Sequence, residues 1–246
     1  MGKINLYDYQ KEAVSNMKNG CILAGGVGTG KSRTSLAYYF TRNGGSLDPF
    51  KPMAKWARDL YIITTARKRD TLEWEEELAV YCLCKDQEKS INKINIVIDS
   101  WNNVGKYKDV RGAFFIFDEQ RVVGKGAWVK SFIKIAKNNE WILLSATPGD
   151  TWQDYIPVFI ANGFYKSRTE FNQEHCVFSR FSKYPKIERY FNTGRLIRLR
   201  NSILVDMELI RSTVPHHEDI FVEFNKIIYK DMMKNRWDIW KNEPFN

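Results

Sequence analysis

Three observations in this 246-residue sequence predict an α/β fold in which a central, mostly parallel sheet is flanked by helices. Short apolar runs rich in β-formers alternate with segments of helical periodicity, the pattern of repeated strand-helix-strand units. Between one such run and one such segment lies GGVGTGKS, Gly25 to Ser32. Further on, FFIFDEQR sets an Asp-Glu pair directly after four apolar residues.

The elements follow in order. A helix is predicted over Tyr7–Lys18, then a strand over Cys21–Ala24, whose apolar run ends in glycines. A helix over Lys31–Thr41 comes next, and the glycine-containing stretch Asn43–Lys55 reads as a loop or short excursion. Leu60–Thr64 is a strand by its β-branched and aromatic content, followed by a helix over Thr71–Cys82 and a strand over Ile94–Ile98. Ala113–Phe117 is apolar on both faces, as a buried parallel strand should be. The helix Ala127–Lys137, the strand Trp141–Leu144 and the helix Thr151–Asn162 complete the alternation. Between Pro148 and Gly194 only helices and loops are expected.

Composition narrows the function. With 43% hydrophobic and 27% charged residues the chain reads as a soluble globular protein. No apolar run approaches the roughly 18 to 20 residues that cross a bilayer. The N-terminus, MGKINLYDYQ, lacks the apolar centre of a signal peptide and matches an acylation signal poorly. Cys21, Cys82, Cys84 and Cys176 form no CxxC pair, and His175, His216 and His217 lack metal-ligand spacing. A reducing, intracellular setting is expected. The net charge of +9 suits a polyanionic partner or a solvated basic surface.

GGVGTGKS satisfies G-x-x-x-x-G-K-S in the strand-to-helix context that a phosphate-binding loop requires. Gly25, Gly26, Val27, Gly28, Thr29 and Gly30 would wrap phosphates with backbone N–H groups, and the helix N-terminus would add positive potential. Lys31 would reach the β/γ-phosphates, and Ser32 would hold Mg²⁺. ATP and Mg²⁺ are therefore the expected cofactors. Asp118, delivered by the apolar strand, would be the second Mg²⁺ ligand, and Glu119 would orient and deprotonate the attacking water. After the next strand, Ser145, Ala146 and Thr147 emerge where short hydroxyl side chains can sense the nucleotide state through the acidic pair.

GGVGTGKS, FDEQR and SATP, in this order, resemble motifs I, II and III of superfamily two helicases and translocases. LYDYQKEAV resembles their Q-motif, in which Gln10 would read the adenine edge. IITTARKRDTLEWEEEL is similar to motif Ia. The phrases KPMAKWARDLYIITTARKRD, FFIFDEQRVVGKGAW, SATPGDTW and RFSKYPKIERY resemble, more closely, the bacteriophage branch of Swi/Snf-related DEAD-like helicases. The resemblance implies a RecA-like lobe, DNA as partner, and the cytoplasm of a bacterial host as its place of work. One departure is Arg121, which stands where box helicases carry Asp or His and would alter how nucleotide state couples to Ser145–Thr147.

Nucleic-acid contacts are expected after two strand ends, at Thr65, Arg67 and Lys68 and at Ser100 and Trp101, because exposed hydroxyls and cations suit backbone phosphates. Trp101 is open to two uses, stacking a base or packing internally. The basic residues Lys166, Arg168, Arg180, Lys183, Lys186, Arg189, Arg195, Arg198 and Arg200 would form either a DNA-binding face or a solvated one. The stretch NTGRLIR contains Gly-Arg-x-x-Arg, the spacing of an arginine finger, but the sheet of a second lobe does not fit before it. By the resemblance, VPHHEDIFVEF would be the strand ending the first lobe and NKIIYKDMMKNRWDIW the helix towards a second RecA-like lobe, supplied in cis or in trans. The expected organisation is residues 1–165 as the ATP-binding lobe, 166–224 as a basic helical extension completing it, and 225–246 as the connecting helix. Two alternatives remain: a viral DNA-packaging ATPase, or a nucleotide-gated binding module without motor activity.

Overall fold

A computed structural model describes residues 4–118, 122–181, 184–207, 218 and 223–244. The chain opens with α1 (Asp8–Asn16), β1 (Ile22–Gly25) and α2 (Lys31–Arg42), then a small hairpin of β2 (Ser46–Leu47) and β3 (Phe50–Lys51). There follow β4 (Leu60–Thr64), α3 (Ala66–Asp70), α4 (Glu73–Val80), β5 (Ile96–Ser100) and a 3-10 helix, Trp101–Tyr107. Next come β6 (Phe114–Phe117), α5 (Ala127–Ala136), β7 (Glu140–Ser145), α6 (Trp152–Ala161) and α7 (Arg168–His175). The hairpin β8 (Cys176–Phe178) and β9 (Ile187–Tyr190), α8 (Thr193–Ile203) and β10 (Leu204–Met207) close the unit Met1–Leu209. A second unit, Ile210–Asn246, contains α9 (Lys226–Asn235), capped by the Asn225 side chain, and the short pair β11 (Trp237–Asp238) and β12 (Glu243–Pro244).

Among the described residues the main sheet has six strands in the order β10-β1-β7-β6-β4-β5, and every pairing is parallel. Parallel strands need both faces covered, and the alternation of side chains divides the core accordingly. Leu23, Ile62, Phe114, Ile116 and Leu144 face one layer with Leu36, Tyr39, Phe40, Trp74 and Leu78 of α2 and α4. Ile22, Ile63, Phe115, Phe117 and Leu143 face the other, with Trp101, Phe132, Ile156, Phe159, Phe171 and Leu196. The run FFIF thus feeds both cores.

Three features depart from the sequence expectations. The predicted helix Thr71–Cys82 is the shorter α4, Glu73–Val80, and an unpredicted short helix, α3, precedes it; the two are separated where the Thr71 hydroxyl donates back to the Arg67 and Lys68 carbonyls and Leu72 turns left-handed at φ 61°. The stretch between Pro148 and Gly194 is not free of strands, since β8 and β9 pair antiparallel there. The last described strand of the sheet is Leu204–Met207, paired with β1 from Ile22↔Leu204 to Gly25↔Met207. It precedes VPHHEDIFVEF, which lies outside the described residues except for Glu218, Glu223 and Phe224.

Phe132 shows how the second layer is held: fully buried, it meets Phe117 and Trp141 edge-on, each at a centroid distance of 5.0 Å. Phe132→Ala should cost about 3–5 kcal/mol through lost transfer energy and a residual cavity. Denaturant unfolding reads this directly, and a loss below about 1 kcal/mol would mean that the layer closes over the gap.

Candidate nucleotide site

Because all six strands run the same way, Gly25, Thr64, Ser100, Phe117, Ser145 and Met207 end at one edge of the sheet. That edge is where open α/β sheets bind ligands. The loop Gly25–Gly30 leaves β1 and enters α2 with Gly28 at φ 81° and Gly30 at φ 77°, a region that favours glycine. A Cβ on Gly30 would fall 2.4 Å from Gln10 Nε2, so a side chain is excluded there twice over. A Cβ on Gly28 would meet nothing, which leaves that part of the loop open to an approaching group.

The loop is held from within the chain. Thr29, itself buried, accepts on its carbonyl from Tyr9 Oη (3.1 Å) and Gln10 Nε2 (3.2 Å), and its hydroxyl donates to the Gly26 carbonyl. Gln10 Oε1 in turn accepts from the Tyr7 amide at 3.0 Å. The predicted adenine reader therefore lies buried beside the loop with both ends of its amide engaged, each retaining further hydrogen-bonding capacity. Lys31 Nζ donates to the Gly25 and Gly26 carbonyls at 2.7 and 2.9 Å, Ser32 follows on the first turn of α2, and Val27 is exposed at the loop tip.

Asp118 follows β6 and is buried, 1% exposed. Its Oδ2 accepts from Thr64 Oγ1 at 2.8 Å, from Trp74 Nε1 at 3.2 Å and from Lys68 Nζ at 3.2 Å. Its amide donates to the Ile63 carbonyl and its carbonyl accepts from Trp101 Nε1. Glu119 and Arg121 lie outside the described residues. On the neighbouring strand β7, Ser145 is buried, with its hydroxyl accepting from the Thr147 amide at 3.1 Å, while Ala146 and Thr147 are exposed.

The expected nucleic-acid contacts separate by burial. Arg67 is exposed, and Thr65 and Lys68 are half-buried; Thr65 caps α3 by accepting from the Lys68 amide. Ser100 and Trp101 are each 3% exposed. The Trp101 ring packs against Phe117 and Trp128, so of its two open uses it takes the internal one, and Ser100 is buried next to it. Beside them, burial pushes Asp99 up, but bonds from Asn103, Tyr107, the Ser100 amide and Arg69 outweigh it and hold the carboxyl below its ordinary range. Arg195 of the Gly-Arg-x-x-Arg stretch bonds Glu174 at 2.7 Å and lies over the Tyr165 ring.

Sequence reasoning missed Thr64 and Trp74 as Asp118 partners and Tyr9 as a loop anchor. For Trp74 the signal was available, since an indole N–H needs a partner when buried. Its identity depends on how α4 crosses the sheet.

Asp118 and Ser32 are hard oxygen donors of the kind Mg²⁺ takes, and the open flank at Gly28 suits a phosphate, so the residues present fit both groups. Among the described residues no His/Cys/Asp/Glu cluster forms a metal site, and no helix is long and apolar enough to cross a membrane. The cysteines are free thiols.

No protein-family model and no curated protein matches the sequence. Among solved structures, the chain is similar to the Sulfolobus solfataricus SWI2/SNF2 ATPase core in complex with dsDNA, at a TM-score of 0.60 and 17% identity, over 82% of this chain and 44% of that one. The Sulfolobus solfataricus SWI2/SNF2 ATPase core domain gives 0.53 and 16%, over 85% and 44%. The Pyrococcus furiosus Hef helicase domain gives 0.44 and 15%, over 72% and 40%. At these identities the likeness is one of fold alone: a RecA-like α/β lobe. The chain spans less than half the length of each of these structures.

If Gln10 holds the loop through Thr29, Gln10→Ala should raise amide hydrogen exchange over Thr29–Ser32 while leaving β6 and β7 protected. Unchanged exchange in that segment would show that Tyr9 and the glycines suffice.

Proposed function

We propose that this chain is the ATP-binding lobe of a DNA-dependent ATPase acting as a helicase or double-strand DNA translocase. The observation that carries the reading is the meeting, at one sheet edge, of the GGVGTGKS loop after β1 and the buried Asp118 after β6, with Ser145–Thr147 after the strand between them. The likeness in fold to a core bound to dsDNA supports DNA as the partner. The phage phrases in the sequence favour a role in phage DNA replication or recombination, in the cytoplasm of the bacterial host.

In this reading the loop amides and Lys31 hold the β/γ-phosphates, Ser32 and Asp118 hold Mg²⁺, and Gln10 lies towards the adenine. Mg²⁺, when bound, neutralises charge that develops on the transferred phosphoryl group. Glu119 orients and deprotonates the attacking water, Ser145 and Thr147 with Arg121 couple nucleotide state to the rest of the lobe, and Thr65, Arg67 and Lys68 meet the DNA backbone. The arginine finger comes from a second RecA-like lobe, in cis or in trans, since Arg195 is paired with Glu174 inside this one.

Two measurements test this. Lys31→Ala should lose ATP affinity in a calorimetric titration while keeping its circular dichroism spectrum; unchanged affinity would remove the phosphate-loop assignment. The 246-residue chain alone should turn ATP over about 10³ to 10⁵ more slowly than the same lobe joined to a second one, a deficit of roughly 4 to 7 kcal/mol. The joined form should be stimulated by DNA, and less so as salt rises. Fast hydrolysis by the single chain that Arg195→Ala or Arg198→Ala abolishes would sink the requirement for a second lobe.

A further inference from the structure

Away from the nucleotide edge, α5, α6 and α7 enclose a groove of about 320 Å³. Its floor is aliphatic: Val129 and Ile133 lie one turn apart on α5, and Ile156 and Ile160 one turn apart on α6, with Pro157 between them. Its rim is cationic. Lys125 comes from the turn before α5, Lys130 from α5 itself and Arg168 from the start of α7, and among the described residues no carboxylate lines the groove. Arg168 is fixed there by a 2.7 Å bond from Nη2 to the Gly124 carbonyl, which orients the guanidinium at the mouth.

We propose that this groove docks a short acidic segment of a partner protein that inserts one apolar anchor side chain between α5 and α6. The volume falls at the lower end of the roughly 300–1,000 Å³ of small-ligand pockets, room for an anchor rather than for a duplex. Nucleic acid would also satisfy the cations, but unpaired bases bind by stacking on aromatic rings, and among the described residues the groove has none in its lining. An aliphatic floor under a cationic rim fits a carboxylate-rich peptide with an apolar residue, whose charge steers the encounter while the anchor supplies burial.

The test uses a fluorescein-labelled hexapeptide of four aspartates, leucine and phenylalanine, titrated by anisotropy into the full chain without nucleotide. Saturable binding is expected. It should be abolished when the last two residues are replaced by serine, and weakened about tenfold or more by Lys125→Glu with Lys130→Glu. Ile160→Ser on the half-buried floor should weaken it independently, and the surface double variant keeps the test valid should that one fail to fold. ATP affinity, measured in parallel, should not change in the double variant, so the groove and the ATPase reading can fail separately. Absence of saturable binding, or binding indifferent to both rim and floor changes, overturns the proposal. So does displacement of the peptide by a single-stranded oligonucleotide whose own affinity falls equally in the double variant, since the groove would then belong to a nucleic-acid path.

Discussion

The Asp118 carboxylate is the constraint around which the candidate-site edge of the sheet is assembled. A charge buried to 1% exposure at the end of an entirely apolar strand is costly unless it is hydrogen-bonded and paired. Here Thr64 ends β4, Lys68 lies on α3 and Trp74 on α4, so one oxygen gathers donors from three successive elements, while the Asp118 carbonyl binds Trp101 at the start of the 3-10 helix. Moving any of these segments would strand a buried polar group. This accounts for the break at Thr71–Leu72: a continuous helix would carry Lys68 and Trp74 in fixed rotation about one axis, whereas the left-handed residue lets α3 and α4 both turn a donor towards the same carboxylate.

A second hold secures the phosphate loop from the opposite side. The Thr29 carbonyl is shared between Tyr9 and Gln10 of α1, and Gly25 sits so close to Met207 of β10 that an added Cβ would lie 3.1 Å from the Met207 Cβ. The loop is thus fixed by the first helix and by the last strand of the unit. That gives β10 a role beyond closing the sheet, because the backbone of β1 must be paired on both sides for the loop to leave it in a defined direction.

Much of this was legible in the chain. Leu60–Thr64 was readable to the residue, and the strands around FFIF and WILLS were readable because a buried parallel strand is a bare apolar run. Glycines at 28 and 30 announced a loop with positive φ. Leu204–Met207 was not legible: LVDM is short, alternates an acid with apolar residues and follows a helix without a turn signal, so only pairing with β1 makes it a strand. The small β8–β9 hairpin was hidden similarly, its strands carrying Glu188, Arg189 and other polar residues on a face that the main sheet does not cover. The order of motifs could be read from local sequence, but the burial of Ser100 and Trp101 could not. Their fate depends on Phe117 and Trp128, which lie at a distance in the chain.

The two lysines of the site bond acceptors of different charge. Lys31 donates to the carbonyls of Gly25 and Gly26, which are neutral acceptors, whereas Lys68 donates to a carboxylate. On the ATPase reading, a phosphate in the loop would compete with those carbonyls for Lys31. Lys68 is bonded to the Asp118 carboxylate at 3.2 Å, so another cation at that carboxylate would compete with it. On the ATPase reading Asp118 would hold Mg²⁺, and Lys68, next to the exposed Arg67, would then share that carboxylate with the metal. On that reading the same carboxylate would tie the metal site to a lysine proposed to meet DNA, through one shared partner.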